Sequence, residues 1–165
     1  MIQDERLIVR AMRPEDAAGI VDMARQLAAA VGDPEPRLAP ADLIRDGTGA
    51  ERWFDCLVAE VAGRVVAYAL LCRSFEAHTA QRRLWVGDFF VAPDVRRGGV
   101  GRALMTAIAR HALALGCDAV YWELWRMNSV GEAFYRKLRA ETVGELAVMR
   151  FNKNRLAAIA GETGQ

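Results

Sequence analysis

The sequence predicts an α/β or α+β domain, a mixed sheet with helices on its faces, and three observations carry that prediction. Two apolar, β-branched runs at 54–61 and 65–75 lie close enough together to form a hairpin. An apolar run at 83–91 leads through a glycine-rich stretch into a long amphipathic segment at 100–115 and then into a strand-like run at 119–125, a late β-α-β pattern. The 165 residues, 53% hydrophobic and 26% charged, suffice for one domain with a real core and leave no room for a second of ordinary size, so 1–165 is read as a single domain.

Each element follows from a local signal. Residues 8–12 read as a first strand, after which Pro14-Glu15-Asp16 opens a helix, with proline in its first turn and acids at the positive end of its dipole. That helix places Ile20, Ala24, Leu27, Ala28 and Val31 on one face, and Gly32 is placed to end it. Asp33-Pro34-Glu35-Pro36 is a loop, and Pro40 to Ile44 start a short helix that Gly47 and Gly49 terminate. Gly63 supplies the turn between the first two long strands. The segment 100–115 puts Leu104, Ala107, Ile108, His111 and Leu115 on one helical face, with Gly116 as its stop. A helix at 130–138 and a last strand at 146–151 follow, and the tail 152–165 is expected to fray beyond a turn of helix at 155–160.

Charge and cysteine content exclude several function classes. Twenty-two Lys and Arg against 21 Asp and Glu leave no global basic excess for nucleic acid or a membrane surface. The N-terminus, Met1-Ile2-Gln3-Asp4-Glu5-Arg6, is polar, and no apolar stretch approaches membrane-spanning length, so a cytoplasmic protein is expected. Cys56, Cys72 and Cys117 have no metal-ligand spacing, and two lie in apolar runs; they are read as buried free thiols, and no metal is expected.

The chemistry concentrates at Arg96-Arg97-Gly98-Gly99-Val100-Gly101-Arg102, where a strand meets a helix. Without Cβ atoms at Gly98, Gly99 and Gly101 the backbone can approach an anion, and the first N–H groups of the helix lack internal partners. The spacing is neither the dinucleotide-binding G-x-G-x-x-G nor the P-loop, because the third glycine and the Lys-Ser/Thr pair are absent; what remains is R-x-x-G-x-G. Taken alone, it fits a structural turn and an anion site equally well.

Asp88-Phe89-Phe90-Val91, then Arg96 to Leu104, then Asn128 with Phe134-Tyr135, resemble the GNAT superfamily of acetyl-CoA-dependent N-acetyltransferases over most of the chain. Within it, Asp42-Leu43, Asp46-Gly47 and Cys56-Leu57-Val58-Ala59-Glu60 resemble the spermidine/spermine (diamine) N-acetyltransferases. The resemblance implies a mostly antiparallel sheet flanked by helices, with a splayed parallel strand pair at the acetyl-CoA site, and a homodimer. It also implies that the backbones of Phe89, Phe90 and Val91 hold the pantetheine arm, that Arg96 to Arg102 receive the diphosphate, and that Asn128 holds the pantetheine. Tyr135 is the catalytic candidate, because a phenol within reach of the departing sulfur can protonate it. The partner is a small-molecule amine, attacking the thioester directly.

Four departures bear on the acceptor and on Tyr135. The diamine group has adjacent acids before Phe-Phe-Val, where this chain has Gly87-Asp88, so Asp88 serves alone or with Glu123 or Glu145 through water. The exit of the first helix, 28–35, holds only Asp33 and Glu35, too few acids for a polycation. Gly131 stands for the small residue after Asn128, and Arg139 for the glycine after the helix. His78 is read as an exposed loop residue and His111 as a buried boundary residue. The rival functions are a non-catalytic acetyl-CoA sensor and an acetyltransferase of protein amines or aminoglycosides.

Overall fold

The computed structural model describes residues 7–144 and 151–161. The chain forms two compact units, Met1–Trp125 and Arg126–Gln165.

The first unit is a sheet with helices. β1 (Ile8–Ala11) is followed by a short 3-10 turn, Pro14–Asp16, that runs into α1 (Ala17–Val31). Gly32 ends α1 at φ 76°, the left-handed position for which glycine was expected. After α2 (Pro40–Gly47) come β2 (Asp55–Val61), β3 (Arg64–Glu76), β4 (Gln81–Val91), α3 (Val100–Ala114) and β5 (Ala119–Trp122). Strand order is β1-β2-β3-β4-β5; the first four pair antiparallel in succession, and β4 and β5 are parallel. The expected mixed sheet with one parallel pair is therefore present. The β2–β3 hairpin turns on Ala62 and Gly63, both at positive φ (50° and 77°), the pairing whose twist suits a two-residue loop.

The pleat divides the core into two layers. Leu57, Ala69, Leu71, Leu84 and Val86 share one face by register and are buried, and Asp55, on that face at the start of β2, bonds His111 of α3 at 2.9 Å. That bond places α3 here, with Leu104 and Ile108 fully buried. His111 is thus a half-buried boundary residue with a carboxylate partner, which Arg52 also holds.

On the opposite face stand Arg10, Cys56, Val58, Tyr68 and Phe90. Arg10 grips Asp16 at 2.7 and 2.9 Å and Glu60 at 2.8 and 3.0 Å, tying the entry of α1 to the sheet edge. Asp16 is the buried charged residue among the described ones, so its pairing is what makes its burial tolerable. Cys56 and Cys117 are buried and Cys72 half-buried, all three as free thiols.

In the second unit, α4 spans Ser129–Lys137 and α5 spans Lys153–Gly161. The tail was expected to hold one turn of helix; it holds nine helical residues, and Asn152 Oδ1 accepts the Arg155 N–H at 2.9 Å to cap them. The last strand expected at 146–151 and Glu145 lie outside the described residues, apart from Phe151, which is in coil.

Candidate active site

β4 outruns its parallel partner. The β4–β5 ladder runs from Arg83↔Ala119 to Val86↔Trp122 and ends there, while β4 continues along β3 to Val91. The strand expected to reach Trp125 stops at Trp122 because the pairing stops. The Ala92 N–H donates to the Val66 carbonyl at 2.9 Å, which fixes the phase of the β3–β4 ladder. Backbone groups of Phe90 therefore face β3, and those of Phe89 and Val91 face the side on which β5 has ended. Of the three residues expected to offer backbone to a pantetheine arm, two have that orientation. Phe90 instead contributes a buried ring, 6.3 Å from Tyr68.

Gly87 is a β-bulge, the extra residue between the pairs Leu71↔Val86 and Leu70↔Asp88. A Cβ built on it would meet nothing within 4 Å. By shifting the pleat, the bulge turns Asp88 away from the face of Val86 and onto that of Tyr68. The Tyr68 hydroxyl donates to Asp88 Oδ2 at 2.9 Å. Desolvation raises the pKa of Asp88 above the usual carboxylate range, against the lowering effect of the Tyr68 bond. Burial, with Asp88 close by, holds the Tyr68 phenol protonated far above neutral pH. Tyr68 was absent from the sequence-based site; its signal is a tyrosine amid the apolar run of β3, whose hydroxyl needs a partner once buried.

The glycine loop follows Val91. Arg97 and Gly99 both take positive φ, 68° and 86°, on either side of Gly98, and Gly99 is the N-terminal cap of α3 with no side-chain cap bond. Alternating handedness of this kind turns successive N–H groups toward one point, and the helix geometry leaves those of Val100, Gly101 and Arg102 without intrahelical partners. Glycine is favoured at 99 by its φ, and a Cβ at Gly98 would crowd the Val95 carbonyl at 3.2 Å. Arg97 and Arg102 are exposed. Arg96 is committed to the strand end: its Nε donates to the Val91 carbonyl at 3.0 Å and its Cζ lies 5.9 Å from the Phe90 ring centroid. The loop thus presents the backbone donors of Val100, Gly101 and Arg102 and the charges of Arg97 and Arg102, an arrangement that can receive an anion.

In the second unit, Asn128 caps α4, its Oδ1 accepting the Gly131 N–H at 2.8 Å. A Cβ at Gly131 would come within 2.6 Å of Asn128 Nδ2, so the departure noted at Gly131 accommodates the cap. Tyr135 sits in the last turn of α4, its ring 5.1 Å from that of Phe134 and nearly edge-on. Burial pushes its phenol up to about 12, so it carries its proton at neutral pH. Arg139 occupies a left-handed position at φ 61°, where the resemblance has glycine, and the Arg139 and Ala140 N–H groups close the helix on Arg136 and Tyr135 carbonyls at 3.0 and 3.1 Å.

The acetyltransferase (GNAT) family model matches residues 22–139. The chain belongs to that family. Members use acetyl-CoA as co-substrate, which agrees with the donor-rich loop. Thialysine N-epsilon-acetyltransferase of Bos taurus is 25% identical, over 94% of this chain and 98% of its own length. L-ornithine N5-acetyltransferase NATA1 of Arabidopsis thaliana is 29% identical over 97 residues, 58% of this chain; the match spans 42% of that relative's length. An integron cassette protein from the mobile metagenome of V. cholerae superposes with a TM-score of 0.75 at 20% identity, over 94% of this chain and 98% of that one, and shares the GNAT fold. Among the described residues no helix is long and apolar enough to cross a membrane, and no group of His, Cys, Asp and Glu side chains gathers as a metal site.

Proposed function

We propose that this GNAT protein is an acetyl-CoA-dependent N-acetyltransferase of a small primary amine, akin to the diamine and thialysine enzymes, in which Asp88 receives the amine's proton. The observation that carries the reading is Asp88 itself, a carboxylate without a cationic partner among the described residues, set by a bulge beside the end of the parallel strand pair. A carboxylate raised by burial is suited to take a proton from an ammonium, which must become neutral before it can attack. Acetyl-CoA supplies the activated acetyl group. Residues 97–102 bind its diphosphate and Phe89 and Val91 align the arm; the part of Asn128 in holding it rests on the resemblance alone.

Tyr135 donates a proton to the sulfur that leaves, a role supported by its place in the family pattern and by a phenol that stays protonated. With one acid before Phe89 and few at the exit of α1, the acceptor is a small amine of low charge rather than a long polycation. The resemblance adds a homodimer to this proposal, and the sequence reading adds a cytoplasmic location.

The test is release of free thiol from acetyl-CoA against ornithine, thialysine, diamines, polyamines, aminoglycosides and short peptides, with CoA affinity measured on the same preparation. Turnover of the small amines is expected, and Tyr135→Phe should lower kcat by about 10²-fold or more with little change in CoA affinity. Tight CoA binding without turnover on any amine would replace the enzyme with a sensor. An unchanged kcat across pH in the phenylalanine variant would remove Tyr135 as the acid.

A further inference from the structure

The catalytic reading of Asp88 leaves Tyr68 unexplained. Tyr68 is fully buried in the central strand of the β1–β5 order, where a phenylalanine would pack without a hydroxyl to satisfy. Its hydroxyl bonds one group among the described residues, Asp88 Oδ2, at 2.9 Å. The contact is diagonal across the β3–β4 ladder, Tyr68 lying opposite Phe90 and Asp88 opposite Leu70. It exists because the bulge at Gly87 brings both side chains to one face.

By register the other ionisable groups on that face are the Cys56 thiol on β2, the Arg10–Asp16–Glu60 cluster at the entry of α1 and, further along the ladder, Cys72, Glu76, Arg83 and Tyr121. Arg10 is paired with Asp16 and Glu60, Arg83 is paired with Glu76 at 2.9 Å, and burial pushes the Cys56 thiol up to about 12, so none of these supplies Asp88 with a positive partner. The phenol is thus the one polar group that fixes the carboxylate among the described residues.

We propose that Tyr68 is a positioning residue for acetyl transfer: its O–H anchors Asp88 Oδ2 and leaves Oδ1 as the oxygen that takes the acceptor's proton. This rests on the reading of Asp88 given under Proposed function. The proton passes from the ammonium nitrogen to Oδ1, and the freed nitrogen lone pair bonds the acetyl carbon. The C–S bond breaks, the sulfur takes a proton from Tyr135, the acid proposed above, and the second proton, shed by the acylated nitrogen, restores that phenol through water. Asp88 returns its proton to water after product leaves. The bond from Tyr68 also favours the ionised form of Asp88, countering a burial that disfavours it.

Tyr68→Phe keeps the ring and removes the oxygen. Two readouts on the full chain decide the matter: a carbon-13 titration of the Asp88 carboxyl, and the pH dependence of kcat/KM with acetyl-CoA and ornithine. The variant is expected to move the Asp88 midpoint and the acidic limb of kcat/KM upward together, with kcat/KM at neutral pH reduced about three- to tenfold. A purely structural tyrosine would lower the melting temperature and leave both midpoints in place, which would overturn the proposal. Adding Tyr68→Phe to Asp88→Asn should cost no further activity; a full additional loss would also overturn it. Failure of the underlying reading looks different, because Asp88→Asn would then retain wild-type turnover while the carboxyl midpoint still moved in Tyr68→Phe.

Discussion

Replacing Asp16 by alanine removes three hydrogen bonds at once: two from Arg10, at 2.7 and 2.9 Å, and one from the Arg13 N–H, at 2.7 Å. Breaking a buried ion pair by deleting one partner costs about 3–5 kcal/mol. Arg10 retains Glu60 and 17% side-chain exposure, so the lower end applies, about 3 kcal/mol. At roughly 2–4 °C per kcal/mol for a domain of this size, the melting temperature should fall by about 6–12 °C. Asp16→Asn keeps an acceptor for Arg13 and should cost about half as much.

The pH dependence checks the cause. The hydrogen bond from Arg10, against the opposing effect of burial, holds the Asp16 carboxyl below its ordinary pKa. A depressed folded-state pKa means that the stabilisation is complete above the unfolded value, about 3.9, and is lost as pH falls through the folded value. Thermal melts followed by circular dichroism at pH 7, 5 and 3 should therefore show a constant gap between wild type and Asp16→Ala at the first two and a smaller one at the third. A loss below about 1 kcal/mol at pH 7, or a gap as large at pH 3, would refute the argument.

Asp88→Asn should lower turnover by about 10²–10⁴-fold and raise the melting temperature at pH 7. The folded-state pKa of Asp88 is raised by burial, so wild type loses stability as pH climbs from the unfolded value through the folded one, and the gap to the asparagine variant should close near pH 3; a gap independent of pH contradicts this. Gly99→Val places a branched side chain at φ 86° and should cost about 1–2 kcal/mol of stability while weakening CoA binding, measured calorimetrically, by tenfold or more; intact affinity in a folded variant would make the loop only structural. Arg139→Gly relieves a left-handed backbone at φ 61° and should stabilise the protein by about 0.5–1 kcal/mol, with kcat unchanged; a lower melting temperature would show that the side chain matters more than the backbone.

Most helix boundaries were legible because single residues enforce them locally. Pro14 opens the segment leading to α1, Gly32 closes α1, and Gly116, at φ 69°, follows α3. The strands followed from apolar runs, and the splay of β4 from β5 from the family resemblance. The faces of β4 were not legible. Strict alternation puts Val86 and Asp88 on one side, and the bulge at Gly87 separates them. The same residue appeared in the sequence as a missing acid, and the fold uses it as an unpaired joint with open space beside it.

The Tyr68–Asp88 bond joins residues 20 apart across a ladder whose register only the folded sheet fixes. Arg96 read as one more loop charge, and its engagement by Val91 depends on how the 3-10 turn Pro93–Val95 redirects the chain. Arg139 read as a departure from glycine, yet it holds glycine's backbone conformation, a strain that composition does not reveal.

The placement of the three cysteines also makes the molecule its own clock. A thiol reagent added to detect CoA meets Cys72 as the half-buried thiol of the native sheet, whereas Cys56 and Cys117 are enclosed and the Cys56 thiol is kept from ionising. Those two sulfurs react when the layers on either side of the sheet separate. Without substrate, the slow phase of labelling therefore times how often the core opens, and CoA or an acceptor amine that binds the folded state should lengthen that interval.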